Sequence, residues 1–201
     1  MVKNKFKEEP RAFDILGNIA LAKFPKGFKS KAKKKFADKI IKSNKAVRTV
    51  LEKTRGFQGR LRKQQTKWIA GNKTKEALYK ENGCVFRLNI DNVYFSPRLS
   101  NERKEIASLI KKGNVLVMFA GVGPYSIVIA KNSKAEKVFS NEINRGANKY
   151  GRLNAELNKV KNKIGFLDGD IKRVALKLRN NGIKFDYIVM PRPQLKETFL
   201  K

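Results

Sequence analysis

The sequence predicts a two-domain α/β protein. A small basic α+β module over residues 11–96 is followed, over residues 97–201, by a Rossmann-like core that looks cut short at its carboxyl end; residues 1–10 read as a basic, disordered tail. Three observations carry this. From residue 100 onward, short apolar runs alternate with amphipathic runs at helical spacing, which implies right-handed crossovers and a parallel sheet. Upstream that rhythm is missing, and the chain reads as a hairpin, a helix and separate strands. Lastly, only four strand-like runs follow residue 100 and the chain stops eleven residues after Met190. A sheet of this kind continues, so its remainder is expected from further sequence or from a second polypeptide.

Taken in order, residues 13–25 form two apolar runs about the turn pair Gly17-Asn18, a hairpin signature. Residues 26–43 place Phe36, Ile40 and Ile41 at helical spacing with lysines on the other faces. Residues 46–51 read as a strand, 56–67 as a very basic loop or strand, and 85–95 as another strand. Ser100 can cap a helix over 100–112 with Ile106, Leu109 and Ile110 inward, which Gly113 stops. Then strands 115–119, 137–141, 164–167 and 185–190 alternate with helices 124–131, 147–157 and 171–180. Ligands of such a sheet belong at the carboxyl ends of its strands.

Composition excludes several chemistries. The chain has no histidine, which removes Ser-His and Cys-His nucleophile pairs, imidazole proton shuttles and most zinc sites. A single cysteine, Cys84, can form no internal disulfide and suits a reducing, cytoplasmic compartment. Lysines and acids crowd the first ten residues, where a secretory signal would need an apolar run, and residues 115–130 are too short and too interrupted by Gly121, Gly123 and Pro124 to span a membrane. Against 17 acidic side chains stand 47 basic ones, a net charge of +30. The excess covers both halves of the chain, so a polyanion is the expected partner, nucleic acid ahead of an anionic membrane.

The strongest local signal is Val115-Leu-Val-Met-Phe-Ala-Gly-Val-Gly-Pro124 followed by Glu142. Gly121 and Gly123 after a strand let backbone approach a ligand, Pro124 opens a helix, and an acid at the end of the next strand can accept both hydroxyls of a ribose. Ser126 occupies the place of a third glycine, which favours S-adenosylmethionine over a nicotinamide cofactor. Asp170, ending the third strand, can accept from an adenine amino group or cap the helix that follows.

A family resemblance rests on the segments Asn92-Val-Tyr-Phe-Ser-Pro-Arg-Leu-Ser-Asn-Glu-Arg-Lys104, Met118-Phe-Ala-Gly-Val-Gly-Pro124, Asn141-Glu-Ile-Asn144, Leu153-Asn-Ala-Glu-Leu-Asn-Lys-Val160 and Gly169-Asp170. Together they resemble the archaeal-type tRNA (guanine-N1)-methyltransferases that modify guanine 37 beside the anticodon, and the related wybutosine aminocarboxypropyltransferases. The likeness extends upstream to about residue 11. It implies a class I methyltransferase core, S-adenosylmethionine as cofactor, no metal, and the anticodon stem-loop of tRNA as partner. By position it implies Glu102 as the base that takes the guanine N1 proton, Arg62 as the partner of O6, and Tyr94 beside the target pocket. It places Arg103, Phe119, Gly121, Gly123, Glu142, Ile143, Asp170 and Ile171 around the cofactor, with Arg103 toward the methionine end, and Arg98, Pro191 and Arg192 toward the base. Two positions depart from the family. Val117 stands where an Asp is usual, and Pro191-Arg192-Pro193 where Asn-Leu-Pro is usual, so Pro191 offers no side-chain hydrogen bond. The small amino-terminal domain that many relatives use on the tRNA's outer corner has no expected counterpart. Methyl transfer to guanine 37 is the leading expectation; aminocarboxypropyl transfer to a wyosine-type base, or RNA binding without turnover by a fragment or half of a split enzyme, are the alternatives.

Overall fold

The computed structural model describes residues 12–191. The tail 1–10 and Arg192 lie outside these residues. Within residues 12–191 the chain divides into two compact units, one of residues 12–79 with Arg87–Tyr94, the other of Lys80–Phe86 with residues 95–191. The division is interleaved, where the sequence suggests one cut after residue 96.

In the first unit, β1 (Phe13–Leu16) and β2 (Ile19–Ala22) make the expected antiparallel hairpin about Gly17-Asn18. Helix α1 (Ser30–Ser43) crosses over to β3 (Thr49–Gln58), which lies parallel to β2, and β4 (Lys63–Gly71) returns antiparallel to β3, giving the order β1-β2-β3-β4. Phe36, Ala37 and Ile40 of α1 pack on Ala20, Ala22, Phe24, Val47, Val50 and Ala70. The sequence suggests that β3 stops at Leu51, because apolar residues stop there. It continues through Gln58 because β4 supplies its ladder, and beyond Leu51 burial falls away along the ribbon.

The hairpin β5 (Glu76–Glu81) and β6 (Cys84–Asn89) follows. β5 escapes a sequence reading because its buried alternate positions are Ala77 and Glu81, a charge where the period-2 pattern calls for an apolar residue. The expected strand over 85–95 ends at Asn89. The hairpin's turn is held within the second unit: Lys131 Nζ donates to Gly83 O (2.7 Å), Asn132 Nδ2 to Asn82 O (2.9 Å), and Asn158 is hydrogen-bonded to both Val85 N and Val85 O. Cys84 is buried there; burial, above all, pushes its thiol up to about 11, Lys131 lowering and Glu81 raising it, so it stays an inert thiol.

The second unit is built on β7 (Asn114–Val117), β8 (Lys137–Glu142), β9 (Ile164–Asp168) and β10 (Tyr187–Val189), all parallel in the order β10-β7-β8-β9. After a short 3-10 turn (Pro97–Leu99), α2 (Ser100–Leu109) leads into β7. The crossovers are α3 (Pro124–Asn132), α4 (Arg145–Leu157) and α5 (Ile171–Asn180). Helix α3 is buried from Pro124 to Ala130, as a helix apolar all round must be. On α5, Ile171, Val174 and Leu178 pack with Leu116 and Met118. No helix among the described residues is long and apolar enough to cross a membrane.

Candidate functional site

The site begins where β7 ends. Phe119 leaves the strand with φ +55°, a conformation costly for a residue with a Cβ, and Gly121 (φ +59°) and Gly123 (φ +84°) continue in the left-handed region where glycine carries no such penalty. The bend is held from three sides. Ala120 N donates to Asn141 O (2.8 Å), Gly123 N to Ala120 O (3.0 Å), and the buried Asn154 Nδ2 to Val122 O (3.1 Å).

Glu142, the last residue of β8, closes the loop. One carboxylate oxygen accepts from Gly121 N at 2.8 Å and the other from Asn144 N at 2.7 Å, so the carboxylate faces the bend with both oxygens anchored by backbone. An ionised carboxylate offers about four acceptor positions. Two are used here, and two remain for a vicinal diol. Asn144 caps α4 by accepting from Gly146 N and Ala147 N, and Asn148 Nδ2 donates to Glu142 O. Ile143, between the two, is half-buried.

The end of β9 is tied to the same place. Gly169 N donates to Glu142 O (2.9 Å), and Asn141 Nδ2 donates to Leu167 O and Gly169 O. Asp170 caps α5 by accepting from Lys172 N at 2.9 Å. Ile171 is buried in the cluster of Leu116, Val174 and Leu178, and Phe119 packs against its rim. Val117, at the end of β7, is fully buried and gives the bend no polar side chain.

Glu102, in the first turn of α2, accepts a hydrogen bond from the Tyr125 hydroxyl at 2.5 Å. Tyr125 follows Pro124 directly, so this bond joins α2 to the glycine bend. Burial, and then the bond to Glu102, hold the Tyr125 phenol well above the usual tyrosine range. Glu102 also borders a cleft of about 470 Å³ between α2 and β10, shared with Ile106, Val189, Met190 and Pro191. Arg103 is placed differently from the expectation. Its guanidinium forks onto Glu81 (2.5 and 2.6 Å), also donates to Ser96 O (3.0 Å), and is 1% exposed. Arg98 is exposed on the 3-10 turn.

In the first unit, Arg62 sits at the end of the β3–β4 turn with φ +48°, its guanidinium 3.6 Å above the Tyr94 ring and 5.8 Å from that of Phe57. Phe57 meets Tyr94 edge-on at 4.9 Å. Such stacking holds a guanidinium by its face and leaves its in-plane N–H groups for an acceptor.

The structure thus gathers the expected residues into three groups: Gly121, Gly123, Glu142 and Asp170 at the sheet's carboxyl edge; Glu102 and Pro191 at one cleft; Arg62 and Tyr94 on the ribbon. Sequence reasoning missed Tyr125, Asn144, Asn154, Phe57 and Glu81. Only Asn144 carried a local signal, as a helix-capping residue just before an apolar-periodic run.

Comparisons with known proteins bear on the fold and the family. The family description "TRM5/TYW2 methyltransferase domain" matches residues 77–201, and "TYW2 N-terminal domain" matches residues 1–74. The tRNA (guanine(37)-N(1))/4-demethylwyosine(37)-methyltransferase Taw22 of Nanoarchaeum equitans is 45% identical over 146 residues, 72% of this chain and 48% of that protein. The tRNA (guanine(37)-N(1))-methyltransferase Trm5b of Pyrococcus abyssi is 39% identical over 193 residues, 96% of this chain and 55% of that protein. Among solved structures, the complex of aTrm5 and tRNALeu matches at TM-score 0.76 and 27% identity over 92% of this chain and 52% of that one. TYW2 of Pyrococcus horikoshii, in complex with MeSAdo, matches at 0.66 and 26% over 81% and 57%. The chain spans about half the length of the curated relatives it matches. The expected fold, a class I S-adenosylmethionine-dependent core behind a basic α+β module, is the one found. The chain belongs to the TRM5/TYW2 methyltransferase family.

Proposed function

We propose that this chain carries the catalytic core of a tRNA methyltransferase that moves the methyl group of S-adenosylmethionine to N1 of guanine 37. The observation that carries the reading is the Glu142 carboxylate fixed against the Gly121 amide, with two acceptor positions left for a ribose diol. Glu142 would hold the ribose, Phe119 and Ile143 the adenine region, and Asp170 the adenine amino group. When bound, S-adenosylmethionine supplies a methyl group already activated by its sulfonium; the electron pair of the breaking C–S bond stays on sulfur as the N1–C bond forms.

The chain's own task is at the base. Guanine N1 is protonated at neutral pH, so its proton must leave and the charge that moves onto O6 must be met. Glu102 is an exposed carboxylate at a cleft and can accept that proton. Arg62, held by its stacked face, can donate in-plane to O6. The anticodon loop can present guanine 37 splayed out of its stack. Relatives named as guanine-37 methyltransferases favour methyl transfer. Aminocarboxypropyl transfer has one observation of its own, the match of residues 1–74 to the TYW2 N-terminal domain.

The test is the purified protein with guanine-37 tRNA and cofactor labelled separately in the methyl and aminocarboxypropyl groups. Methyl label that disappears when guanine 37 is replaced by adenine is the expected result. Label from the second group alone assigns the alternative, and label from neither overturns both. Binding is tested separately with Glu142→Ala, which removes the acceptor of two backbone amides and of the ribose. Loss of one or two charge-assisted hydrogen bonds predicts S-adenosylmethionine affinity weaker by roughly 10- to 100-fold in a calorimetric titration. An unchanged Kd would remove Glu142 from the cofactor site.

A further inference from the structure

We infer that the outward face of α1 is a docking surface for the sugar-phosphate backbone of RNA, with Lys31, Lys35, Lys39 and Lys42 contacting phosphates. The inference rests on the tRNA reading above and adds to it the surface that grips the backbone.

Helix α1 has a division of labour along its circumference. Phe36, Ala37 and Ile40 are buried in the first unit's core, whereas Lys31, Lys34, Lys35, Lys39 and Lys42 are all exposed and border one shallow cleft. Lys33 is employed otherwise: its ammonium pairs with Glu52 at 2.6 Å and lies over the Phe24 ring. Only Asp38 interrupts the positive face.

That placement works against the helix itself. No acid occupies the first turn, and Lys29 and Lys31 sit at the end where the helix dipole is positive. The spacings Lys31–Lys35 and Lys35–Lys39 put like charges at i,i+4, each costing about 0.2–0.5 kcal/mol; Asp38, four residues from both Lys34 and Lys42, offsets part of this but leaves the cationic first turn uncompensated. A 14-residue helix is marginal on its own, so these choices lower the stability of an element that cannot spare much. A solvated face needs no such run, and local rules broken without a compensating gain mark function. An anion laid along the face supplies the compensation.

Geometry selects the anion. At 1.5 Å per residue, Lys31 to Lys42 spans about 16 Å, with a charge about every 6 Å. This suits a charged strand better than one small ligand. A membrane-binding helix needs apolar residues on its outer side to enter the lipid interface. The apolar side of α1 is used in the core, and what faces outward is Lys and Asp.

The test compares the full chain with two quadruple variants, Lys31→Gln/Lys35→Gln/Lys39→Gln/Lys42→Gln on α1 and Lys112→Gln/Lys134→Gln/Lys177→Gln/Lys184→Gln, exposed positions of the second unit. Binding to an unmodified tRNA transcript is measured from about 50 to 300 mM salt. Each phosphate contact contributes about 0.7–0.9 to the slope of log affinity against log salt. The α1 variant is expected to lose about 3 from that slope and the control less than 1, with S-adenosylmethionine affinity unchanged in both. Equal slope changes in the two variants overturn the inference, since the charge then acts without location. Binding to phosphatidylserine vesicles that the α1 variant alone loses, with tRNA binding intact, overturns it in favour of a membrane. A wild-type chain that shows the α1-dependent slope but transfers no label overturns the proposed reaction and upholds this surface.

Discussion

Replacing Glu81 with alanine is expected to lower the free energy of unfolding by about 3–5 kcal/mol. Glu81 and Arg103 are 2% and 1% exposed and meet in a two-pronged contact at 2.5 and 2.6 Å, with Arg103 flanked by the rings of Phe95 and Tyr125. Taking a charge out of water costs several kcal/mol, and here each ion is the other's compensation. Truncating one partner leaves the other buried without it. For a chain of this size the loss corresponds to a fall in Tm of roughly 6–20 °C, and it is a large share of the 5–15 kcal/mol that typically holds a domain together. The double variant Glu81→Leu/Arg103→Met is expected near wild-type stability or above it, because an apolar pair of similar volume needs no desolvation. Urea unfolding of wild type, Glu81→Leu, Arg103→Met and the double closes the cycle. A Glu81→Ala loss under about 1 kcal/mol would mean that the pair is hydrated and contributes little.

The same pair explains what was legible in the sequence and what was not. Helix α5 reads correctly to the residue, since Asp170 caps it and Ile171, Val174 and Leu178 recur at helical spacing. The four parallel strands read correctly because each is a short apolar run between helices. β5 does not, because Glu81 is a core residue only by virtue of Arg103, which lies 22 positions away. The long β3–β4 ribbon is hidden for a related reason: its outer half is stabilised by ladder hydrogen bonds, which leave no hydrophobic signature. At the site, Gly121 and Glu142 are legible because a strand-end bend followed by a strand-end acid is a local pattern. The Tyr125–Glu102 bond is not, since it depends on how α2 packs on α3. Arg103 shows the limit of carrying a role over by position: its neighbour Glu102 faces a cleft, while Arg103, one residue on and about 100° round the helix, is turned into the core.

Glu102→Gln is expected to lower kcat for methyl transfer by two to three powers of ten while leaving the affinities for tRNA and S-adenosylmethionine within about twofold. The amide keeps the size and the acceptor oxygen facing Tyr125 but cannot take a proton from guanine N1. Tyr125 cannot replace it in that role. Its phenol is held above the usual range by burial and by Glu102 itself, so near neutral pH it is protonated and acts as a donor. Its part is to fix the carboxylate. With the 2.5 Å bond from Tyr125 to one oxygen, the other is left aimed by a single restrained side chain rather than sampling the rotamers open to an exposed Glu. Tyr125→Phe removes the donor and leaves the buried ring, so kcat is expected to fall about tenfold with KM for tRNA unchanged. A structural role for Tyr125 alone would instead lower Tm and leave kcat at 25 °C intact. If Glu102→Gln retains more than about a tenth of wild-type kcat under single-turnover conditions, the proton leaves by another route and the cleft beside α2 is not where guanine N1 reacts.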